Sequence, residues 1–221
     1  MKSIHRREVK FYIPENLKKY FYSWLISKIG ITKSYPKRII NSLYYDSVDY
    51  KSAKDNIIGL SDRKKYRFRW YGSNQDTLIN FEIKSKDNIF SQKETFNLNL
   101  KLENVNFTKL FDLNSIIFAD LPYDLKKKII GIKLFPILNV KYDREYLKYH
   151  HLDLTIDNDL SFFRFNEKKN TINKKHVIFE IKYNYKFENE VKTLLSDCKL
   201  SISRNSKYLQ GLDCINKFNY I

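Results

Sequence analysis

The sequence predicts an α+β fold in which an antiparallel β-barrel with a charged lumen is flanked by helices. Most of the predicted elements are strands, because apolar and charged residues alternate along them. Only a few segments repeat apolar residues at the spacing of an amphipathic helix. Five strands carry charge on one face only, and a barrel or a strongly curved sheet gives such faces a common side.

The predicted elements follow one another without a Pro-, Gly- or Ser-rich linker, so we expect a single domain over residues 1–221. The first strand is REVKFYI (7–13), and Pro14 then opens an amphipathic helix over 15–29. Further strands are predicted at 40–46, 64–72, 78–86, 137–147, 152–165 and 176–185. Further helices are predicted at 107–113, 121–130, 188–197 and 206–216.

Composition limits the possible partners. The chain has 221 residues and a formal net charge of +16, which predicts an anionic partner: nucleic acid, a membrane surface or a phosphorylated small molecule. Its five glycines form no glycine-rich phosphate loop, so any phosphate must be bound by side chains or helix ends. The two cysteines, Cys198 and Cys214, lack metal-binding spacing, and no signal peptide or membrane-length apolar stretch is present. We therefore expect a soluble, cytoplasmic protein.

Five predicted strands share one design, with apolar residues on one face and cations on the other. Their charged or polar positions are Glu8 and Lys10; Lys65, Arg67 and Arg69; Glu82, Lys84 and Lys86; Tyr142 and Arg144; and Glu180 and Lys182. For a single strand of this kind, the simplest explanation is that its charged face is exposed to solvent. Five of them enclosing a lumen would be costly unless a ligand neutralised the charge. A polyphosphate with a divalent cation would do so, because cations neutralise phosphate oxygens and carboxylates hold the metal.

These motifs, taken in order, resemble the VTC (vacuolar transporter chaperone) domain, the polyphosphate-polymerase branch of the triphosphate tunnel metalloenzymes and a relative of the CYTH phosphatases. The resemblance extends from Glu8 to about Gly211. REVKF resembles the first tunnel strand of the family. NSLYYDSVDY (41–50) resembles the segment that follows the first helix, and RFRWYG resembles the R-x-R strand. FEIKSK, YDR, IFEIKY and RNSKYLQG (204–211) resemble the later strands and the C-terminal signature.

The resemblance implies an ATP-dependent enzyme that adds the γ-phosphoryl group of ATP, or of another triphosphate, to inorganic polyphosphate. It implies Mn²⁺ or Mg²⁺ as the cofactor, held by Glu180 with Glu8 or Glu82 as a further ligand. The implied catalytic clamps on the triphosphate are Arg67, Arg69, Lys84, Lys86 and Arg144. The implied phosphate contacts that complete the ring are Lys10, Tyr142, Lys182, Arg204, Ser206 and Lys207.

Two positions depart from the family pattern. Relatives carry an Arg four residues before the Asp of an R-x-T-x-D strand, whereas DLTID (153–157) has Asp153 there, which removes a phosphate contact and adds a negative charge. Arg6 stands where many phosphatase relatives have an acidic residue, which favours the polymerase branch.

Three alternatives remain open: a metal-dependent triphosphatase in the same tunnel, a non-catalytic polyphosphate or nucleotide sensor, and a nucleic-acid-binding module. We expect no nucleic-acid partner, because no RNP1-like motif is present. The aromatic rings also alternate with the cations, which places the rings on the opposite face.

Overall fold

A computed structural model describes residues 6–73, 77–87, 90–101, 122–165 and 167–215. Within these ranges the predicted α+β composition is confirmed, with nine strands and five α-helices. The strands are β1 (Arg6–Ile13), β2 (Ile31–Asp46), β3 (Arg63–Tyr71), β4 (Leu78–Asp87), β5 (Phe90–Lys101), β6 (Phe135–Tyr149), β7 (Leu152–Arg164), β8 (Ile172–Lys174) and β9 (Val177–Asn184). The helices are α1 (Lys18–Ile26), α2 (Lys51–Ile57), α3 (Tyr123–Ile129), α4 (Glu188–Leu195) and α5 (Lys207–Cys214).

The strands form one sheet in the order β1-β9-β7-β6-β2-β3-β4-β5, and β8 pairs with β7. The pairings of β1 with β9, β9 with β7, β2 with β3, β3 with β4 and β4 with β5 are all antiparallel. Closure into a barrel is not confirmed, because in the described part of the chain no pairing joins β1 to β5, the two ends of this order.

The chain divides into two compact units, each assembled from separate stretches. The first unit contains the described residues up to Ile39, together with Tyr142–Ser161 and Asn173–Ser206. The second unit contains the described residues of Ile40–Lys141, Phe162–Ile172, and the chain from Lys207 onward. Strands β2, β6 and β7 each contribute residues to both units, and a single domain over the whole chain stays a prediction.

The first unit buries one face of its sheet under two helices. Alternate residues of β1, β7 and β9 pack into this core, which explains why the residues between them lie on the other face. Phe179 lies at the centre, with its ring centroid 5.7 Å from that of Phe11 and 5.2 Å from that of Phe21. The helices α1 and α4 contribute Phe21, Trp24, Leu25, Val191 and Leu194.

The second unit repeats this arrangement on β2, β3 and β4. The rings of the KYRFRW stretch lie on its apolar side, with Tyr66 and Phe68 buried and Trp70 half-buried against the same core. Phe68 packs edge-on against Phe81 of β4, with ring centroids 5.0 Å apart, and α3 covers the core with Leu125 and Ile129. The cations between these rings therefore lie on the opposite side of β3.

Four elements differ from the predictions, namely β2, α2, β5 and the short strand β8 (Ile172–Lys174), which was not predicted. Strand β2 begins at Ile31, well before the predicted start at residue 40. This earlier part was not predicted, because residues 32–38 are exposed on both faces and so show no apolar–polar alternation. Helix α2 was not predicted, because its first N–H groups are capped by a side chain that precedes the helix: the backbone N–H groups of Ser52 and Ala53 donate to Asp46, at 2.9 and 3.1 Å. The helix predicted at 107–113 lies outside the described residues.

Strand β5 was not predicted either, since polar residues occupy both of its faces between Ser91 and Thr95. Among the described residues, no helix combines the length and the apolar character needed to span a lipid bilayer.

Candidate functional site

Charged residues of the first unit meet on the face opposite its core. In antiparallel pairing, residues directly opposite each other share a face, and here Lys10 and Thr155 flank Glu180 on its two neighbouring strands. Two positions away, Lys182 is flanked by Glu8 and Asp153. We call the ion-paired set the Glu180 cluster: Glu8, Lys10, Arg144, Asp157, Glu180 and Lys182.

Glu180 is the centre of this cluster and is only 4% exposed. Its Oε1 lies 3.2 Å from Lys10 Nζ, and its Oε2 lies 3.4 Å from Lys182 Nζ and 3.7 Å from Arg144 Nη2. Lys10 Nζ also lies 3.5 Å from Glu8 Oε2, so one ammonium group joins the two carboxylates. Strand periodicity predicts that Glu8 and Lys10 share a face, as do Glu180 and Lys182, and the pairing of β1 with β9 brings the two charged faces together.

Arg144 is held by a carboxylate to which the sequence analysis gave no role. Its Nε and Nη2 donate to the two oxygens of Asp157, at 2.6 and 2.7 Å, and Asp157 is completely buried. The guanidinium carbon lies 5.2 Å from the centroid of the Tyr142 ring. Such a bidentate pair fixes the orientation of the guanidinium plane. The alternation of β7 could have placed Asp157 on this face, because it lies two residues after Thr155, which is directly opposite Glu180.

Burial and neighbouring charges shift the pKa values in this cluster in different directions. For Lys10, burial opposes the charge, but Glu180 and Glu8 outweigh it and raise the pKa above its ordinary value. For Lys182, burial and the nearby Arg144 lower the pKa, because Glu180 compensates for them only in part. For Arg144, the attraction of Asp157 outweighs the effect of burial and raises the pKa above its ordinary value. The cluster is close to charge balance, with three cations and three carboxylates.

A second group of charged residues lies on β3, β4 and β5, on the side of the second unit opposite its core. Glu82 is 1% exposed, and its Oε2 accepts hydrogen bonds from Arg67 Nε at 2.8 Å and Nη2 at 2.6 Å. Arg69 Nη1 lies 3.5 Å from the same oxygen, and Lys93 Nζ donates to Oε1 at 3.1 Å. A single buried carboxylate therefore holds three cations in place.

Two hydroxyl groups of β2 complete this arrangement. Arg69 donates through Nε and Nη2 to Ser42 Oγ, both at 3.2 Å, and Arg67 Nη1 donates to the Tyr44 hydroxyl at 2.9 Å. We call this set the Glu82 cluster: Ser42, Tyr44, Arg67, Arg69, Glu82 and Lys93. The sequence analysis missed Ser42, Tyr44 and Lys93, although the alternation in NSLYYD places the first two on one face.

The pKa of Glu82 reflects these contacts. Burial alone would raise it, but Arg67, Arg69 and Lys93 outweigh burial and hold the pKa well below its ordinary value. Because Glu82 accepts hydrogen bonds from Arg67 and Lys93 at 2.6–3.1 Å, whereas the ion-pair contacts of Glu180 are 3.2–3.7 Å, Glu82 is better suited to orient the arginines than to bind a metal ion.

Cations also lie directly opposite one another in the second unit. Lys65 of β3 pairs with Lys84 of β4, and Lys84 pairs with Lys93 of β5. In the neighbouring row, Arg63 pairs with Lys86. We call these the like-charge rows. Like charges at directly opposed positions destabilise a sheet, so an anion between them would stabilise it.

The remaining predicted phosphate contacts belong to the segment before and at the start of α5. The backbone N–H of Ser203 donates to the carbonyl of Lys10 at 2.8 Å, which joins this segment to β1. Arg204 is exposed, Ser206 is half-buried, and Lys207 is the first residue of α5.

The metal-ligand predictions fit this structure in one place. Within the described ranges, no group of three or more His, Cys, Asp and Glu side chains lies close enough to hold a metal ion. Mg²⁺, however, typically binds one or two carboxylates and completes its shell with water and substrate phosphates. Glu8 and Glu180, which share the Lys10 ammonium, supply such a pair.

Comparisons with known proteins agree with this picture. The family model for the VTC domain matches residues 5–216. Curated protein sequences gave no match.

Three similar solved structures share the fold over nearly their whole length. One is the putative adenylyl cyclase HpAC1 from Hippeastrum, described as having a dominant triphosphatase activity. Its TM-score is 0.60 at 12% sequence identity, and the match covers 95% of this chain and 96% of the Hippeastrum chain. A putative adenylate cyclase from Bacillus halodurans has a TM-score of 0.56 at 13% identity, and the match covers 93% of this chain and 97% of the Bacillus chain. The PH1819 protein from Pyrococcus horikoshii OT3 has a TM-score of 0.56 at 13% identity, and the match covers 95% of this chain and 99% of the Pyrococcus chain.

Proposed function

Because the chain belongs to the VTC domain family, we propose that it is a polyphosphate polymerase. It transfers the γ-phosphoryl group of ATP to the end of a growing inorganic polyphosphate chain. The observation that carries this proposal is the pair of like-charge rows beside the Glu82 cluster.

Those rows argue for a ligand with several closely spaced negative charges. Among the described residues of β3, β4 and β5, this face carries the buried carboxylate of Glu82 and seven cations: Arg63, Lys65, Arg67, Arg69, Lys84, Lys86 and Lys93. A ligand with one charge would neutralise only part of such a face, whereas a chain of phosphates presents charged oxygens along its length. A triphosphate or a polyphosphate therefore fits better than a single phosphate group.

Arg67 and Arg69 are the proposed clamps on the phosphate oxygens. Each guanidinium is fixed by neighbours, Arg67 by Glu82 and Tyr44, and Arg69 by Ser42. Arginines oriented before the substrate binds lose little conformational entropy on binding, and their fork of N–H groups matches phosphate oxygens. Lys84 and Lys86 add positive charge at the next strand.

The chemistry requires no nucleophilic side chain. An oxygen of the terminal phosphate attacks the γ-phosphorus of ATP, the bond from that phosphorus to the β,γ-bridging oxygen breaks, and ADP leaves with the electron pair. Proteins accelerate such transfers mainly by holding the groups in line and stabilising the charge on the transferred phosphoryl group. Mn²⁺ or Mg²⁺, when bound, supplies further neutralisation of phosphate charge.

The Glu180 cluster is proposed to hold the metal ion and further phosphate oxygens. Glu180 and Glu8 are the proposed metal ligands, and Lys10, Lys182 and Arg144 are the proposed phosphate contacts. Tyr142, Arg204, Ser206 and Lys207 are proposed to assist as hydrogen-bond donors or as guiding charges. Displacement of the Glu180 carboxylate from its lysines by a metal ion would leave those cations to face the phosphates.

The proposal is tested by incubating the protein with ATP and Mn²⁺ and measuring ADP and polyphosphate. We expect both products, and Lys84→Met should reduce their rate by about 10²-fold, the usual scale for losing one charge-stabilising group. Lys64→Met is the matched control, because Lys64 lies on the neighbouring strand β3, opposite Ser85, with its exposed side chain on the other face of the sheet. Absence of both ADP and polymer would refute the polymerase.

A metal-dependent triphosphatase is the second candidate. Two observations favour it: the activity described for the Hippeastrum protein, and Asp153, which adds a negative charge opposite Lys182. With water as the acceptor, inorganic phosphate would be released and no polymer would form. Binding of a triphosphate without any turnover would instead identify a sensor.

A further inference from the structure

Thr155 is a buried hydroxyl residue in the middle of the Glu180 cluster. It lies on β7 directly opposite Glu180 of β9, and two residues before Asp157 on the same face of its strand. Side chains at directly opposed positions have Cβ atoms only about 4.5–5.5 Å apart. The Thr155 hydroxyl is therefore directed at the face that carries Glu180, Arg144 and Lys10.

The hydroxyl of Thr155 has no hydrogen-bond partner among the residues that the structure describes. The residue is 5% exposed, so bulk water does not replace the missing partner. Its neighbours, by contrast, are engaged: Glu180 contacts three cations, and both oxygens of Asp157 accept from Arg144. An unpaired buried hydroxyl lowers the stability of the folded protein, so its presence here calls for a partner that arrives later.

We propose that Thr155 is a substrate-binding residue whose hydroxyl donates a hydrogen bond to a phosphate oxygen of the bound triphosphate. The inference rests on the proposed function and assigns a residue to it. A hydroxyl suits this position because its neighbours already supply charge, and a neutral donor adds direction without adding repulsion. A Thr side chain also has few rotamers, so the donor is held in place before the ligand binds.

Two substitutions separate binding from folding. Thr155→Val keeps the shape and removes the donor, and Thr155→Ser keeps the donor. The matched control is Tyr45→Phe, because the Tyr45 hydroxyl is also buried and without a partner within the described residues, but lies in the apolar core of the second unit. Tripolyphosphate affinity is measured by titration calorimetry in the presence of EDTA, and thermal stability is measured without ligand.

We expect Thr155→Val to bind tripolyphosphate about tenfold more weakly, the usual scale for losing a hydrogen bond to a charged group. Thr155→Ser should bind within about twofold of the wild type. Without ligand, Thr155→Val should melt at the same temperature as the wild type or higher, because an unpaired hydroxyl is removed. Tyr45→Phe should share that thermal behaviour and leave affinity unchanged.

Unchanged affinity in Thr155→Val would overturn the inference, as would a loss that appears only when Mn²⁺ is added, since the hydroxyl would then act on the metal shell. A lower melting temperature for ligand-free Thr155→Val would assign the hydroxyl a structural role and would also overturn it. Failure of the wild type to bind tripolyphosphate both in EDTA and with Mn²⁺ would instead refute the proposed function itself.

Discussion

Replacing Glu82 with Gln removes one negative charge from the second unit while preserving the shape of the side chain. In the native structure this carboxylate is almost completely buried and contacts Arg67, Arg69 and Lys93 at distances between 2.6 and 3.5 Å. The substitution therefore leaves three cations beside a neutral amide. The two arginines have little freedom to move away, since their side chains are 14% and 7% exposed.

The expected cost follows from this burial. Removing one partner of a buried ion pair typically costs about 3–5 kcal/mol. Lys93 reduces the cost, because its side chain is 48% exposed and can turn toward water. The Gln oxygen also still accepts one hydrogen bond. We therefore expect Glu82→Gln to lower the free energy of unfolding by about 3 kcal/mol, the lower end of that range.

Urea denaturation followed by circular dichroism at pH 7 measures this change. The control is Glu94→Gln on β5, whose carboxylate pairs with Lys128 at 2.6 Å, with both side chains partly exposed. Such a surface pair contributes about 0–1 kcal/mol, so the control should change little. A loss below 1 kcal/mol for Glu82→Gln would refute the argument that Glu82 organises this face.

Tripolyphosphate should stabilise Glu82→Gln more than it stabilises the wild type, because an anion then supplies the missing negative charge. Equal stabilisation of both proteins would show that the ligand does not reach Arg67 and Arg69. The pH dependence gives an independent check. Because the native pKa of Glu82 is lowered, its contribution is complete above the unfolded pKa of about 4.3 and is lost as pH falls toward the native value. The stability difference between wild type and Glu82→Gln should therefore narrow below about pH 4.

Three other substitutions have definite expected outcomes. Asp157→Asn should destabilise the protein by about 3–5 kcal/mol in urea denaturation, since it leaves the buried Arg144 without its bidentate partner; an effect below 1 kcal/mol would contradict this. Gly211→Ala should cost about 1–2 kcal/mol despite a better helix propensity, because a Cβ there would collide with the side chain of Leu138; adding Leu138→Ala should recover part of the loss if the collision is the cause. Asp153→Arg should tighten tripolyphosphate binding by about fivefold at 50 mM salt and by less at 300 mM, as expected for a partly screened charge; weaker binding would show that Asp153 does not oppose the phosphate.

Strand periodicity predicted which residues of each strand share a face of the candidate site. Glu180, Lys182, Lys10 and Glu8 lie together because a period of two fixes the face, and the matching apolar residues fix which face is covered. The assignment of the rings of KYRFRW to the core side followed from the same rule.

Contacts between distant segments were not predictable in this way. Lys93 belongs to a strand with polar residues on both faces, so nothing in its own sequence shows which neighbour it meets. Asp157 is paired by a residue on another strand, and Ser42 orients an arginine 27 positions away. Such pairs depend on the order and register of the strands, which a single sequence does not contain.

The hydrogen bond from the Tyr208 hydroxyl to Asp46, at 2.8 Å, joins two residues separated by 162 positions. Asp46 also accepts from the N–H groups at the start of α2, so a residue of α5 completes a structure that begins at the end of β2. During synthesis, β2 to β5 emerge from the ribosome long before Tyr208 does. The second unit therefore lacks this hydrogen bond to Asp46 until Tyr208 has been translated, long after its like-charged strands have left the ribosome.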